Sequence, residues 1–395
     1  MKVLQINSVC GIRSTGKICT DLAAVLKEQG HDSLVLYGRE NAPINFASIS
    51  KKITTDTEVK LHALSARLFD NAGFASNVAT KRFISEIEKY NPDIIHLHNL
   101  HGYYINVEML FDYLKSQSRP VVWTLHDCWS FTGHCSHFSY VGCDRWKSAC
   151  HSCPQKSQYP KSLVDNSRAN YEKKKSCFLG VKNLTIVTPS KWLADRVRES
   201  FLSEYPVSVI PNGIDLEAFK PTYADIRKKY GIGEGKIILG VASAWSERKG
   251  LSDFIKLSEL VGDEYKIVLV GIKDRSGLAQ NIVTIPATDS REELAALYTA
   301  AYAFYNPSRE ETMGLTTVEA LACGTPAIVY NLTALPEVVD AGCGITLPMA
   351  NAEAVATILA DIDEIDSANC IKRASEYDKD KMFSKYIDIY EELMK

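Results

Sequence analysis
Glu311 and Glu319, with seven residues between them, lie in the segment 307–326, PSREETMGLTTVEALACGTP. An apolar run precedes this segment and Gly314 leads into a helical pattern. Glu311 therefore falls in a loop and Glu319 on the helix, and both can face one ligand from the carboxyl end of a strand. Carboxylates accept hydrogen bonds from sugar hydroxyls. The free N–H groups of a helix start suit a phosphate, and a glycine lets backbone come close. A ligand carrying hydroxyls and a diphosphate fits this set. The plain alternative is a helix acid stabilised by the macrodipole.

Cations follow another apolar run, 236–242, in Ser246-Glu247-Arg248-Lys249-Gly250. Such groups stabilise charge developing on a departing diphosphate; a solvated surface pair is the alternative. Histidines gather after two earlier strands, in IIHLHNLHG (His96, His98, His101) and in WTLHDCW (His126). His96 and His98 alternate and share one strand face. His96 reads as a satisfied core histidine. His98 and Asn99 lie nearer the carboxyl end, and His101, Gly102 and Tyr103 are placed to shape an acceptor site.

Residues 128–153 hold Cys128, Cys135, Cys143, Cys150 and Cys153, five of the 11 cysteines. The last four, spaced C-x7-C-x6-C-x2-C, suit a structural zinc with four thiolates, with His134, His137 and His151 as substitute donors. The stretch has no helix or strand period, and a metal could order it. Reduced thiols, a disulfide and an iron–sulfur centre are the alternatives. From Arg145 to Arg198 there are twelve Lys or Arg and three acids, densest at Lys173-Lys174-Lys175. A solvated face explains this. So does attraction to anionic lipid or a lipid-linked diphosphate, with Trp146, Trp192 and Phe178 as interfacial contacts.

These residues need elements to hold them. The chain has 395 residues, which points to two domains of roughly 150–200 residues. Its 46 % hydrophobic and 24 % charged content is that of a globular protein, and a net charge of −3 excludes a globally basic nucleic-acid binder. No apolar run approaches the roughly 18–20 residues of a membrane span, and no signal-peptide core is visible. A cytosolic location, at most against the inner face of a membrane, is expected, where reduced cysteines are the rule. Short β-branched runs alternate with amphipathic stretches. Strands are predicted near 2–6, 33–37, 93–97, 121–125, 184–188 and 207–210, then 236–242, 266–270, 282–285, 302–305 and 326–330, with a first helix over 17–29. This α/β pattern predicts two doubly wound, Rossmann-like parallel-sheet domains, 1–215 and 216–380, and a helix 381–395 packing back on the first. Ligands bind beyond the carboxyl ends of such strands, here in a cleft between facing domains.

The ordered pattern Pro307, Ser308, Glu311, Gly314, Leu315, Glu319, Ala320, Ala322, Gly324, Thr325 and Pro326 resembles the E-x7-E signature of glycosyltransferase family four, retaining enzymes of the GT-B fold. Met313 stands where that family has Phe. Ile210-Pro211-Asn212-Gly213-Ile214-Asp215 resembles its interdomain element, Thr188-Pro189-Ser190 a strand end, Ser14-Thr15-Gly16 its glycine-rich first loop, and Lys249-Gly250 its basic element. The family's arginine is replaced at Ala244 or Trp245, and Arg248 is the substitute cation. The resemblance implies a nucleotide-sugar donor held by Gly16, Arg248, Lys249, Glu311, Met313, Gly314, Leu315, Thr316 and Glu319. Segment 284–298 would lie beside the base. Glu311, Lys249 and His126 would form the catalytic set, His126 by positioning, with same-face attack and the departing phosphate taking the acceptor proton. Domain closure would bring them together. His98, Asn99, His101 and Tyr103 would face a glycan or lipid-linked glycan acceptor. No cofactor is expected for transfer, no nucleic-acid partner, and zinc would be structural. A binding module without catalysis, a zinc-dependent nucleic-acid binder and a nucleotide-sugar epimerase are the rivals.

Overall fold
The computed structural model describes every residue of the chain except 274, 276, 289, 349 and 350. One residue of the expected base-binding segment 284–298, residue 289, thus lies outside the described residues. The chain divides into two compact units, Met1–Pro211 with Met382–Lys395, and Asn212–Lys381.

The first unit is one seven-stranded parallel sheet. Its strands are β1 (Lys2–Asn7), β2 (Asp32–Tyr37), β3 (Ser50–Lys52), β4 (Ile94–Leu97), β5 (Val121–Thr124), β6 (Leu184–Thr188) and β7 (Val207–Val209), in the order β3-β2-β1-β4-β5-β6-β7. Alternating side chains of β1 feed two cores. Leu4 and Ile6 join one and Val3 the other, which the helix Lys379–Leu393 completes with Phe383, Tyr386 and Tyr390. Both faces are covered, which is why the strands read as continuous apolar runs.

The second unit repeats the plan with β8 (Lys236–Val241), β9 (Tyr265–Val270), β10 (Ile282–Ile285), β11 (Ala303–Asn306), β12 (Ala327–Tyr330) and β13 (Gly344–Leu347). Their order is β10-β9-β8-β11-β12-β13. Ile237 and Leu239 enter one core and Ile238 the other. Burying each such side chain contributes about 1.5–3 kcal/mol. In both sheets the strand order reverses once, between β1 and β4 and between β8 and β11, and the crevice at that point is where such folds take ligands.

Ile214 and Asp215 are tied down inside the second unit. Ile214 N–H donates to Tyr377 O at 2.8 Å and Lys379 N–H to Ile214 O at 3.0 Å. Asp215 accepts from Lys379 Nζ at 3.0 Å and Arg291 Nη1 at 3.1 Å.

Several sequence expectations change. The first helix runs Arg13–Glu28, so Ser14, Thr15 and Gly16 form its opening turn and the loop is 8–12. Gly16 is buried there, its carbonyl accepting Gly11 N–H at 3.0 Å. Trp146 and Phe178 are buried and are not interfacial contacts. Lys174 is buried too, leaving the basic stretch. Lys147 pairs with Glu199 and Lys173 with Glu108 at 2.8 and 2.7 Å, so much of that stretch is neutralised locally. No helix among the described residues is long and apolar enough to cross a membrane.

Candidate active site
In the first unit the histidines stack at the ends of β4 and β5. The chain begins with Gln5, a buried amide in an otherwise apolar strand. Its Nε2 donates to Cys19 O at 3.0 Å and Ser33 Oγ at 3.1 Å, which leaves Oε1 as the acceptor. His98 Nε2 lies 3.1 Å from that oxygen and carries the proton. His98 Nδ1 is then an acceptor, and it takes the Nε2–H of His126 at 3.2 Å. The order fixes His126 Nδ1 as a lone-pair nitrogen. Burial drives His98 well below the usual imidazole range, and drives His126 down to about 4 against the opposing pull of Asp127. Both rings are neutral at neutral pH, so His126 is a hydrogen-bond acceptor and no acid.

His98 was expected to meet an acceptor molecule. It is 1 % exposed with both ring nitrogens engaged, one of them by His126, so no nitrogen is left to meet one. His96 is the core histidine expected, between Thr124 Oγ1 at 2.7 Å and Tyr390 OH at 2.6 Å. Asn99 is anchored by its N–H to Asn7 Oδ1 at 3.2 Å. Half-buried His101 bridges Asp127 Oδ2 at 2.7 Å and Tyr159 OH at 2.9 Å. Burial alone would raise the Asp127 carboxyl; His101 outweighs it and holds the acid at about 2. Tyr103, in a left-handed backbone conformation (φ 67°), places its ring 5.9 Å from Tyr159.

The second unit presents full charges. Lys249 follows β8, Glu311 follows β11, and the ammonium and carboxylate form an ion pair. Burial would raise the Glu311 carboxyl. Lys249 first, then Arg248 and Ser308, hold it below its usual range, so it stays ionised. Glu311 N–H donates to Thr333 Oγ1 at 2.9 Å, which sets the loop. The two loops are stitched together: Arg248 Nη1 donates to Glu310 O at 3.0 Å and Arg309 N–H to Arg248 O at 2.9 Å. Gly250 (φ 72°) allows this approach, since a Cβ there would lie 2.5 Å from Pro307 Cβ. The Lys-Gly pair is thus a cation followed by the one residue type that lets its loop reach β11.

Gly314 (φ 90°) caps the helix Leu315–Ala322. Leu315 and Thr316 are half-buried in its first turn, and Glu319 accepts from Tyr298 OH at 2.9 Å. Met313 is buried in the core and its Sδ accepts Asn212 N–H at 3.1 Å. Where the expected arginine is missing, Ala244 is exposed and Trp245 is structural, its indole N–H donating to Val270 O at 2.9 Å. Gln5, Thr124, Tyr390 and Thr333 were not singled out from the sequence. Gln5 carried a signal, an amide inside a buried run, which must find partners.

Residues 15–218 match the model of Glycosyltransferase Family 4 and residues 223–377 that of Glycosyl transferases group 1. The chain is 25 % identical over 418 residues, 100 % of both chains, to WcaC of Escherichia coli (strain K12), whose name places it among colanic acid biosynthesis glycosyl transferases. It is 29 % identical over 168 residues to the O-antigen chain mannosyltransferase RfbU of Salmonella typhimurium, covering 40 % of this chain and 45 % of that one. Among solved structures, sucrose-phosphate synthase from Thermosynechococcus elongatus superimposes with a TM-score of 0.72 at 18 % identity, over 99 % and 98 % of the two chains. Anabaena HepE in complex with UDP gives 0.68 at 16 %, over 99 % and 100 %. The fold is GT-B, and the chain belongs to glycosyltransferase family 4.

Proposed function
We propose that this glycosyltransferase moves a sugar from a nucleotide-sugar donor to an acceptor hydroxyl with retention of configuration, on a lipid-linked glycan during surface polysaccharide assembly. The observation that carries the reading is the Lys249–Glu311 ion pair at the reversal of the second sheet. A donor diphosphate arriving there takes the Lys249 ammonium as counter-charge. Glu311, kept ionised by the nearby Lys249 and Arg248, accepts from hydroxyls of the transferred sugar, and Glu319 from those of the ribose. As the bond to phosphate breaks, negative charge grows on the leaving diphosphate and Lys249 stabilises it. The acceptor hydroxyl attacks from the same face and its proton passes to the departing phosphate. In the first unit His126, neutral and held by His98, serves in positioning.

Two relatives support this reading: WcaC by its name and full-length match, and HepE by its complex with UDP. The test is nucleotide release by purified protein offered uridine and guanosine diphosphate sugars, with extracted lipid-linked glycans as acceptor. Product configuration is read by proton NMR. Transfer giving the donor's anomer is expected. An inverted product would overturn the retaining assignment, and turnover unchanged in Glu311→Ala would overturn the donor site. A converted donor with no acceptor present would reveal an epimerase.

A further inference from the structure
The loop that leaves β5 holds a cluster of sulfurs that the transfer chemistry does not use. Cys135, Cys143, Cys150 and Cys153 line one cavity of about 10 Å³. That is room for about one atom-sized occupant and for no organic ligand. Phe138 and Trp146, with ring centroids 4.6 Å apart, supply an apolar wall. One of the sulfurs is already addressed by a backbone donor: Gly133 N–H reaches Cys150 Sγ at 3.2 Å.

A buried amine lies on the same side of the loop. Lys174, 1 % exposed, donates to Trp129 O at 2.7 Å and Thr132 O at 3.0 Å, and lies 3.4 Å over the Trp129 ring. Its hydrogen bonds go to carbonyls and not to a carboxylate. His134 lines the same cavity. Its Nδ1 is 2.5 Å from Asp70 Oδ1, and its Nε2 is buried without a hydrogen-bond partner. That unpartnered ring nitrogen is a polar atom buried beside the sulfurs.

We propose that this loop binds one zinc ion through the sulfurs of Cys135, Cys143, Cys150 and Cys153 as a closed structural centre. Thiolate ligands select zinc over the harder divalent ions, and four of them complete its tetrahedron. His134, held by Asp70, is an outer neighbour of the sulfurs. Among the described residues no three His, Cys, Asp or Glu side chains are already arranged to hold a metal. Zinc therefore draws the sulfurs together as it binds, and loading is coupled to ordering of the loop. The same loop carries Tyr159, the partner of His101, so the centre fixes one side of the first unit's site from a distance.

The test begins with metal analysis of the full chain purified under reductant without chelator, where about one zinc per chain is expected. Cobalt substituted for zinc should show the charge-transfer absorbance of a four-thiolate site. Cys143→Ser and Cys153→Ser should each lose the metal, whereas His134→Gln should keep the wild-type metal ratio and cobalt spectrum. Serine variants can fail to fold, so wild-type protein is also stripped with a thiol reagent and chelator. Its melting temperature should fall and be restored by zinc but not by magnesium. Zinc below about a tenth per chain together with no cobalt spectrum would overturn the proposal. So would a Cys135–Cys153 disulfide in freshly purified protein, or metal kept by Cys143→Ser and lost by His134→Gln.

Discussion
At the carboxyl ends of β4 and β5 the first unit sets imidazoles; at the ends of β8 and β11 the second sets a half-buried ammonium and carboxylate. Burial acts on both sets, with opposite outcomes. His98 and His126 face one another and an amide, and desolvation strips them of charge. Glu311 suffers the same desolvation but faces Lys249, and stays ionised. Equivalent places in two copies of one fold thus become a neutral surface and a charged one. What decides is whether a counter-charge lies within bonding distance.

The largest expected effect breaks the charged side. Lys249→Ala should lower kcat/KM by roughly a hundred- to a thousandfold, the range for removing one group that stabilises developing charge. It also leaves Glu311 buried and unpaired. Lys249→Met combined with Glu311→Gln should therefore unfold at a higher temperature than Lys249→Ala while remaining inactive. If activity survives in the single variant, the contrast between the units has no catalytic meaning. Next comes Gly250→Val, which forces a β-branched side chain into left-handed backbone and against Pro307. A loss of about 2–3 kcal/mol is expected in urea unfolding.

Asp127 tests the neutral side through the one ion it retains. Its acid is held at about 2 against a usual 3.8. The stability this provides is present above pH 4 and is lost as pH falls through about 2, because only then does the folded carboxylate take a proton. It amounts to roughly 2 kcal/mol. The gap between wild type and Asp127→Asn should accordingly be full at pH 6 and vanish near pH 2; a gap constant with pH would show that His101 does not hold the charge. The smallest effect is at His126. His126→Ala should reduce kcat/KM about tenfold, the worth of one neutral hydrogen bond. NMR should find its ring neutral down to a pH of about 4. A midpoint near 6.5 would erase the distinction between the two surfaces.

Much of this was legible in the chain. Buried runs such as KIILGV announce parallel strands, and the E-x7-E spacing locates a loop and a helix that the fold does place after β11. The edge strands Ser50–Lys52 and Gly344–Leu347 escaped because short strands at a sheet's margin need little apolar character. Lys174 was misread for a different reason. Three consecutive lysines look like a surface, yet Asn170, Tyr171, Lys174, Cys177 and Phe178 recur at helical spacing and are all buried. Periodicity outweighed charge there. The pairing of Asp70 with His134, 64 residues apart, leaves no trace in spacing, since only tertiary packing brings the two together.

The helix Lys379–Leu393 has a consequence in time. Tyr390 and Tyr386 hydrogen-bond His96 and Thr124, side chains beneath the imidazole stack. Those tyrosines are translated only after the whole second unit, residues 212–381, has been made. The nascent first unit must therefore wait on the ribosome with His96 lacking one partner and with the core behind the first helix open where Phe383, Tyr386 and Tyr390 belong. At about 5–20 residues per second that interval lasts on the order of ten seconds or more. The second unit has all its strands before the first has its last helix, so the order of completion on the ribosome is the reverse of the order of synthesis.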